Sequence, residues 1–179
     1  MTETLSGKRI ALLVADGFEQ VELTEPRRAL EEAGAEALIV SPAKDQVRGW
    51  QHTDWGERFE VDQSLEFAGE GEYDALVLPG GVMNPDQLRR NDRALGFVRA
   101  FVDHGKPVAA ICHGAWTLID AGVVEGRRMT SYPSIRTDLV NAGANWVDEE
   151  VVVDDGLITS RNPDDLPAFN AKLIEEIRR

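Results

Sequence analysis

The 179-residue chain has a single cysteine, Cys112, so it can form no intrachain disulfide. That fits a reducing compartment. Long apolar runs are also missing. The stretch Ile10 to Ala15 is far below the roughly 18–20 residues of a membrane span. Met1 to Gly7 is polar, and the apolar run after it is too short for a secretory leader. A cytoplasmic location with no membrane partner is therefore expected. Basic residues are scarce, 19 against 32 acidic, for a net charge of −13. Nucleic-acid binding needs basic patches that neutralise phosphates, so no nucleic-acid partner is expected. The acidic excess lies in scattered pairs such as Glu31-Glu32 and Asp154-Asp155, which read as a solvated surface. Three histidines and one cysteine do not make a zinc site. No G-x-G-x-x-G or Walker pattern occurs, so neither a metal nor a nucleotide cofactor is expected.

What is present is an alternation of strand and helix patterns. Lys8 to Val14 is a short apolar run of strand type, and Thr24 to Ala33 reads as a helix closed by Gly34. Pro26 fits the first turn of that helix and would kink a longer one beginning nearer Gln20. Ala37 to Ser41 and Asp74 to Leu78 are further strands. Val47 to Val61 carries Trp50, Trp55 and Phe59 among polar residues and reads as a hairpin or a long surface excursion. Asn91 can cap a helix lined by Leu95, Val98, Phe101 and Val102, which ends at His104-Gly105. Pro107 to Ile111 is a strand, and the helix after it ends near Gly122. Ser134 to Ala142 looks helical. Glu150 to Val153 and Leu157 to Ser160 flank an Asp-Asp-Gly turn and form a hairpin. Leu166, Phe169, Leu173, Ile174 and Ile177 repeat at helical spacing. With no linker or repeat, residues 1–179 read as one α/β domain with a mainly parallel sheet covered on both faces.

In open α/β sheets, sites form outside the carboxyl ends of the strands. Three such ends carry unusual chemistry: Ala15-Asp16-Gly17-Phe18-Glu19, Pro79-Gly80-Gly81 and Cys112-His113-Gly114. Parallel strands bring all three to one rim. Cys112 stands at a strand-to-helix corner, where helix-opening amides favour a negative sulfur, and a lowered thiol pKa is expected. A carboxylate facing that sulfur would have to stay protonated, so Glu19 is expected to have a raised pKa as part of a coupled pair. An N–H of Gly81, paired with that of His113, would form an oxyanion hole. His113 follows the nucleophile directly and needs favourable rotamers and an orienting carboxylate to act as a base. His104 sits where a helix ends, and capping is its expected role.

Ala109 to Gly114, Ala75 to Gly81, Asp16 to Glu19, Thr130 to Pro133 and Asn141 to Asp148 together resemble the PfpI family of intracellular cysteine peptidases. That family lies within the class I glutamine amidotransferase-like superfamily, alongside the parkinsonism-associated oxidative-stress protein and bacterial glyoxalases and deglycases. The resemblance runs from about Lys8 to the C-terminus. It implies a flavodoxin-like sandwich and a homodimer, sometimes assembled into a hexamer. It implies Cys112 as the nucleophile at an elbow, Glu19 as its hydrogen-bond partner, and Gly81 and His113 as the oxyanion hole, with His113 also the base. The family's third member is an acidic residue donated by a neighbouring subunit, and Asp86 stands at that position, where relatives often have Glu. Ala115 replaces a common Pro, and Trp116 stands in the elbow helix, as a pocket wall or as part of the core.

Three functions fit these residues. The first is a stress-related, cysteine-dependent hydrolase of peptidase type. The second is a cofactor-independent glyoxalase or deglycase, in which Cys112 adds to methylglyoxal and water releases a hydroxy acid. The third is a non-enzymatic redox-sensing chaperone built on an oxidisable thiol. The substrate is accordingly expected to be a peptide or a small aldehyde.

Overall fold

A computed structural model describes residues 4–179. The first half contains β1 (Arg9–Leu13), β2 (Phe18–Glu19), α1 (Val21–Glu32), β3 (Glu36–Ser41), β4 (Gln46–Gln51), β5 (Asp54–Glu60), β6 (Gln63–Ser64) and β7 (Ala75–Leu78). Then come α2 (Met83–Leu88), α3 (Asp92–Asp103), β8 (Val108–Ile111), α4 (Ala115–Asp120), β9 (Arg128–Met129) and α5 (Arg136–Asn141). The chain closes with β10 (Asn145–Trp146), β11 (Val152–Asp154), β12 (Leu157–Ser160) and α6 (Leu166–Arg178).

Seven strands form the main sheet in the order β11-β12-β8-β7-β1-β3-β6. All its pairs are parallel except the β11–β12 hairpin. Alternation along β1 explains the layers. Ile10, Leu12 and Val14 point to one side and pack with Leu23 and Leu30 of α1 and Phe169 and Leu173 of α6. Ala11, Leu13 and Ala15 point to the other and pack with Phe97 and Phe101 of α3, Leu118 of α4 and Leu139 of α5. Each fully buried Leu, Ile or Phe in these two layers contributes about 1.5–3 kcal/mol through lost contact with water. The expected three-layer, mainly parallel architecture is the one observed.

From β1 the chain first builds outward to β3 and β6, then returns to the other flank with β7, β8 and β12. The order therefore reverses between the neighbours β1 and β7, and a crevice opens beyond their carboxyl ends. Two local departures from the sequence expectation shape that crevice. Helix α1 starts at Val21, three residues before the expected Thr24, and carries Pro26 inside it. Helix α2, which the sequence reading did not contain, begins two residues after Gly81. The Val47–Val61 segment is the β4–β5 hairpin, and β4 also pairs with β2 in a small separate sheet. Asn91 caps α3 by accepting from the N–H groups of Arg93 and Ala94. The ring Nδ1 of His104 lies 2.9 Å from the Ala100 carbonyl at the end of α3, as expected of a cap. Among the described residues no helix is long and apolar enough to cross a membrane.

Candidate active site

Strand β8 ends in extended backbone at Ile111, and the next residue, Cys112, takes φ 61°. This left-handed conformation costs a non-glycine residue on the order of 1–3 kcal/mol and persists only where the surroundings fix it. Two features do so here. The Tyr132 N–H donates to the Cys112 carbonyl at 3.2 Å. The tight turn Cys112–Gly114 leads into α4 against the end of β7, where any Cβ on Gly114 would collide with the Leu78 carbonyl. The sulfur-bearing corner is thus a strained elbow seated on its neighbouring strand.

Gly80 forms the floor beside it. A Cβ there would lie 2.6 Å from Glu22 Oε1, 2.7 Å from Cys112 Cβ and 2.8 Å from the Ile111 carbonyl. Only glycine lets these three groups meet. The floor is pinned by Asn84 of α2, a buried side chain that sequence reasoning missed. Its Oδ1 accepts from the Ala15 N–H at 2.7 Å, and its Nδ2 donates to the Pro79 and Gly80 carbonyls at 3.0 and 3.1 Å. One amide side chain therefore ties the end of β1 to the turn after β7. The Glu19 N–H adds a bond to the Gly80 carbonyl at 3.3 Å.

The carboxyl nearest the thiol is that of Glu22, not the expected Glu19. Glu22 is fully buried in the first turn of α1, and its Oε1 accepts the Gly80 N–H at 3.0 Å. Its Oε2 is buried without a partner at hydrogen-bond geometry, while the Cys112 thiol is close enough to interact with the carboxyl. Burial pushes the Glu22 pKa up to about 8; the Gly80 amide opposes this and the Glu19 carboxylate adds to it. Glu19 turns instead toward the β4–β5 hairpin, where it accepts the His52 N–H at 3.3 Å and lies 3.6 Å from His52 Nδ1. The missed signal was the helical spacing of Glu22, Pro26 and Leu30, which share a buried face once α1 starts at Val21.

The thiol departs from expectation in direction as well. Burial, and then the Glu22 carboxylate, push the Cys112 pKa up; the amides of His113 and Gly81 pull it down without prevailing. The lowered pKa expected from sequence rests on the helix start. A six-residue α4 supplies little dipole, and the residue is only 7% exposed. The two expected amides do converge on the sulfur, those of His113 and Gly81.

His113 Nδ1 lies 3.2 Å from Cys112 Sγ. Its ring stacks on Tyr132 at 4.8 Å and meets the edge of Trp116 at 5.1 Å. Burial holds the imidazole pKa below its ordinary value, so the ring is neutral at pH 7. Trp116 braces His113 from the α4 side and packs partly against the core. Asp86 is exposed on α2, and among the described residues it makes no hydrogen bond or ion pair with His113. Above the sulfur lies a cavity of about 570 Å³, lined by Gly17, Glu19, Glu22, Trp50, His52, Gly81, Val82, Met83, Cys112, His113, Tyr132, Ser134 and Pro163.

Known proteins share this arrangement of chain. The DJ-1/PfpI family matches residues 8–176. "Putative cysteine protease YraA" of Bacillus subtilis is 45% identical over 172 residues, covering 96% of this chain and 99% of that protein. "Protein/nucleic acid deglycase 2" of Escherichia coli is 46% identical over 170 residues, covering 93% and 96%. The crystal structure of Drosophila melanogaster DJ-1beta superposes with a TM-score of 0.87 at 29% identity, covering 99% of this chain and 91% of that one. The strained cysteine elbow, the switch-point crevice and these matches agree, and the chain belongs to the DJ-1/PfpI family.

Proposed function

We propose that this protein is a cofactor-independent enzyme of reactive carbonyls, of glyoxalase or deglycase type, with Cys112 as its nucleophile. The observation that carries this reading is the uncharged carboxyl of Glu22, with one unpartnered oxygen, held beside the Cys112 thiol. At neutral pH the site then holds a thiol, a neutral imidazole and a carboxylic acid. That is a proton-relay set, and carbonyl isomerisation requires one.

The thiol is not a preformed thiolate, so it loses its proton as it attacks. His113 Nδ1 takes the proton while sulfur adds to the aldehyde carbon. The amides of Gly81 and His113 face the alkoxide that forms, and Glu22 gives it a proton, leaving a hemithioacetal and a carboxylate. That carboxylate removes the hydrogen on the thiol-bearing carbon. The imidazolium returns its proton to the neighbouring carbon, the hydroxyl proton of the hemithioacetal passes to that carbon's oxygen, and the adduct becomes a thioester. Water then cleaves the thioester, giving a hydroxy acid and the free thiol. For methylglyoxal the sum is one water added and lactate formed, with every proton on the protein restored.

Relatives named as deglycases support this choice, and so does a sulfur recessed in a compact cavity. The relative named as a protease, together with the Cys112–His113 contact, supports peptide hydrolysis as the second reading. The test is lactate formation from methylglyoxal without glutathione, run beside cleavage of unstructured peptides, for wild type and Cys112→Ala. Cysteine-dependent lactate supports the first reading; cysteine-dependent peptide cleavage without lactate replaces it with the second. The homodimer implied by the family resemblance is part of the proposal, since Asp86 would reach His113 only from a second copy.

A further inference from the structure

A histidine that accepts a thiol proton on Nδ1 must carry its own hydrogen on Nε2, and that hydrogen needs an acceptor. Among the described residues the Nε2 of His113 has one polar side-chain neighbour, Ser134 Oγ at 3.3 Å. The carboxylate whose charge reaches the ring, Asp138, is engaged elsewhere: its Oδ2 accepts the indole N–H of Trp116 at 2.9 Å. Tyr132 and Trp116 fix the plane of the ring but carry no information about which nitrogen holds the hydrogen.

We propose that Ser134 is the positioning residue of His113, fixing within one chain the tautomer that lets Nδ1 face the Cys112 sulfur. The inference rests on the step of the carbonyl-enzyme reading in which His113 Nδ1 takes the thiol proton. The chain builds the placement locally. Tyr132 donates its N–H to the carbonyl of Cys112, so the loop bearing Ser134 is tied to the nucleophile's own backbone. Pro133 then opens the short turn Pro133–Ile135, which presents the hydroxyl to the ring before α5 begins. A neutral hydroxyl orients the imidazole without stabilising its charged form as a carboxylate would. The ring then stays a free base until sulfur gives up its proton.

The experiment compares wild type, Ser134→Ala, Ser134→Thr and Asp86→Ala by nitrogen NMR of labelled His113 and by Cys112 alkylation with iodoacetamide across pH. The expected result is a single Nε2–H tautomer in wild type and a mixture in Ser134→Ala. Alkylation near pH 7 should slow in Ser134→Ala by on the order of tenfold, part of what general-base assistance supplies. Ser134→Thr should restore both, and thermal stability should not change, because Ser134 is exposed. An unchanged tautomer and alkylation profile in Ser134→Ala would overturn the proposal. So would a tautomer mixture and slowed alkylation in Asp86→Ala with wild-type behaviour in Ser134→Ala, which would make the second copy's carboxylate the positioning group. These readouts need no carbonyl turnover, so a failed substrate assay with an intact tautomer shift would sink the reaction and leave Ser134 in place.

Discussion

Glu19 and Glu22 are three positions apart, yet the fold makes different chemical groups of them. Glu19 ends β2, stays partly open to solvent and engages the tip of the β4–β5 hairpin at His52. Glu22 sits in the first turn of α1, with no exposed surface, against Gly80 and the thiol. The first is a wall of the cavity mouth, the second an uncharged acid at its base. What separates them is the point at which strand becomes helix, since a helix turns its first residues inward on a schedule that a strand does not share.

The largest expected effect tests the thiol that Glu22 faces and Glu19 does not. Cys112→Ala should lower the proposed carbonyl turnover by at least about a thousandfold, because the adduct forms on the chain's single cysteine. Next comes the comparison itself. Glu22→Gln keeps the volume and removes the transferable proton, so kcat should fall by about 10²–10⁴. Glu19→Gln should change it by only a few-fold, roughly what an indirect contact carries. Equal losses in the two variants would break the distinction. Gly80→Ala attacks the floor that brings Glu22 to the thiol. Its Cβ meets three groups at 2.6–2.8 Å, which should cost about 1–3 kcal/mol of stability in thermal unfolding and depress activity as well.

The smallest effect, taken per pH unit, is a stability slope. Glu22 holds its proton up to about pH 8 when folded and releases it in the ordinary glutamate range when unfolded. Between those values the folded state binds more protons, so stability falls as pH rises, by at most about 1.4 kcal/mol per pH unit. The contribution is complete below the unfolded value and gone above the folded one. Glu22→Gln should flatten this part of the curve, read by thermal unfolding across pH.

Much of the architecture could be read from the chain because apolar runs alternate with capped helices. The three motifs do meet at one rim, with Gly81, Cys112 and His113 together at the sulfur. Three things were not legible. Pro26 suggests a helix beginning at Thr24, which leaves Glu22 outside any element, while the rim motif Asp16 to Glu19 and the family resemblance point to Glu19 as the carboxyl partner. Helix α2 is six residues long, too short to show a period, and it follows a Gly-Gly turn signal, so Asn84 looked like loop. The thiol was misjudged for a third reason: motif position predicts which amides face the sulfur, but not how much water the completed fold removes around it.

The most direct test is a titration of the Glu22 side chain by carbon NMR of labelled glutamate, in wild type and in Cys112→Ala. A carboxyl that stays protonated at pH 7 and titrates near 8 in the wild type is the predicted result. A Glu22 already ionised at pH 6 would place a charge beside the sulfur and contradict the proton relay on which the proposed chemistry depends.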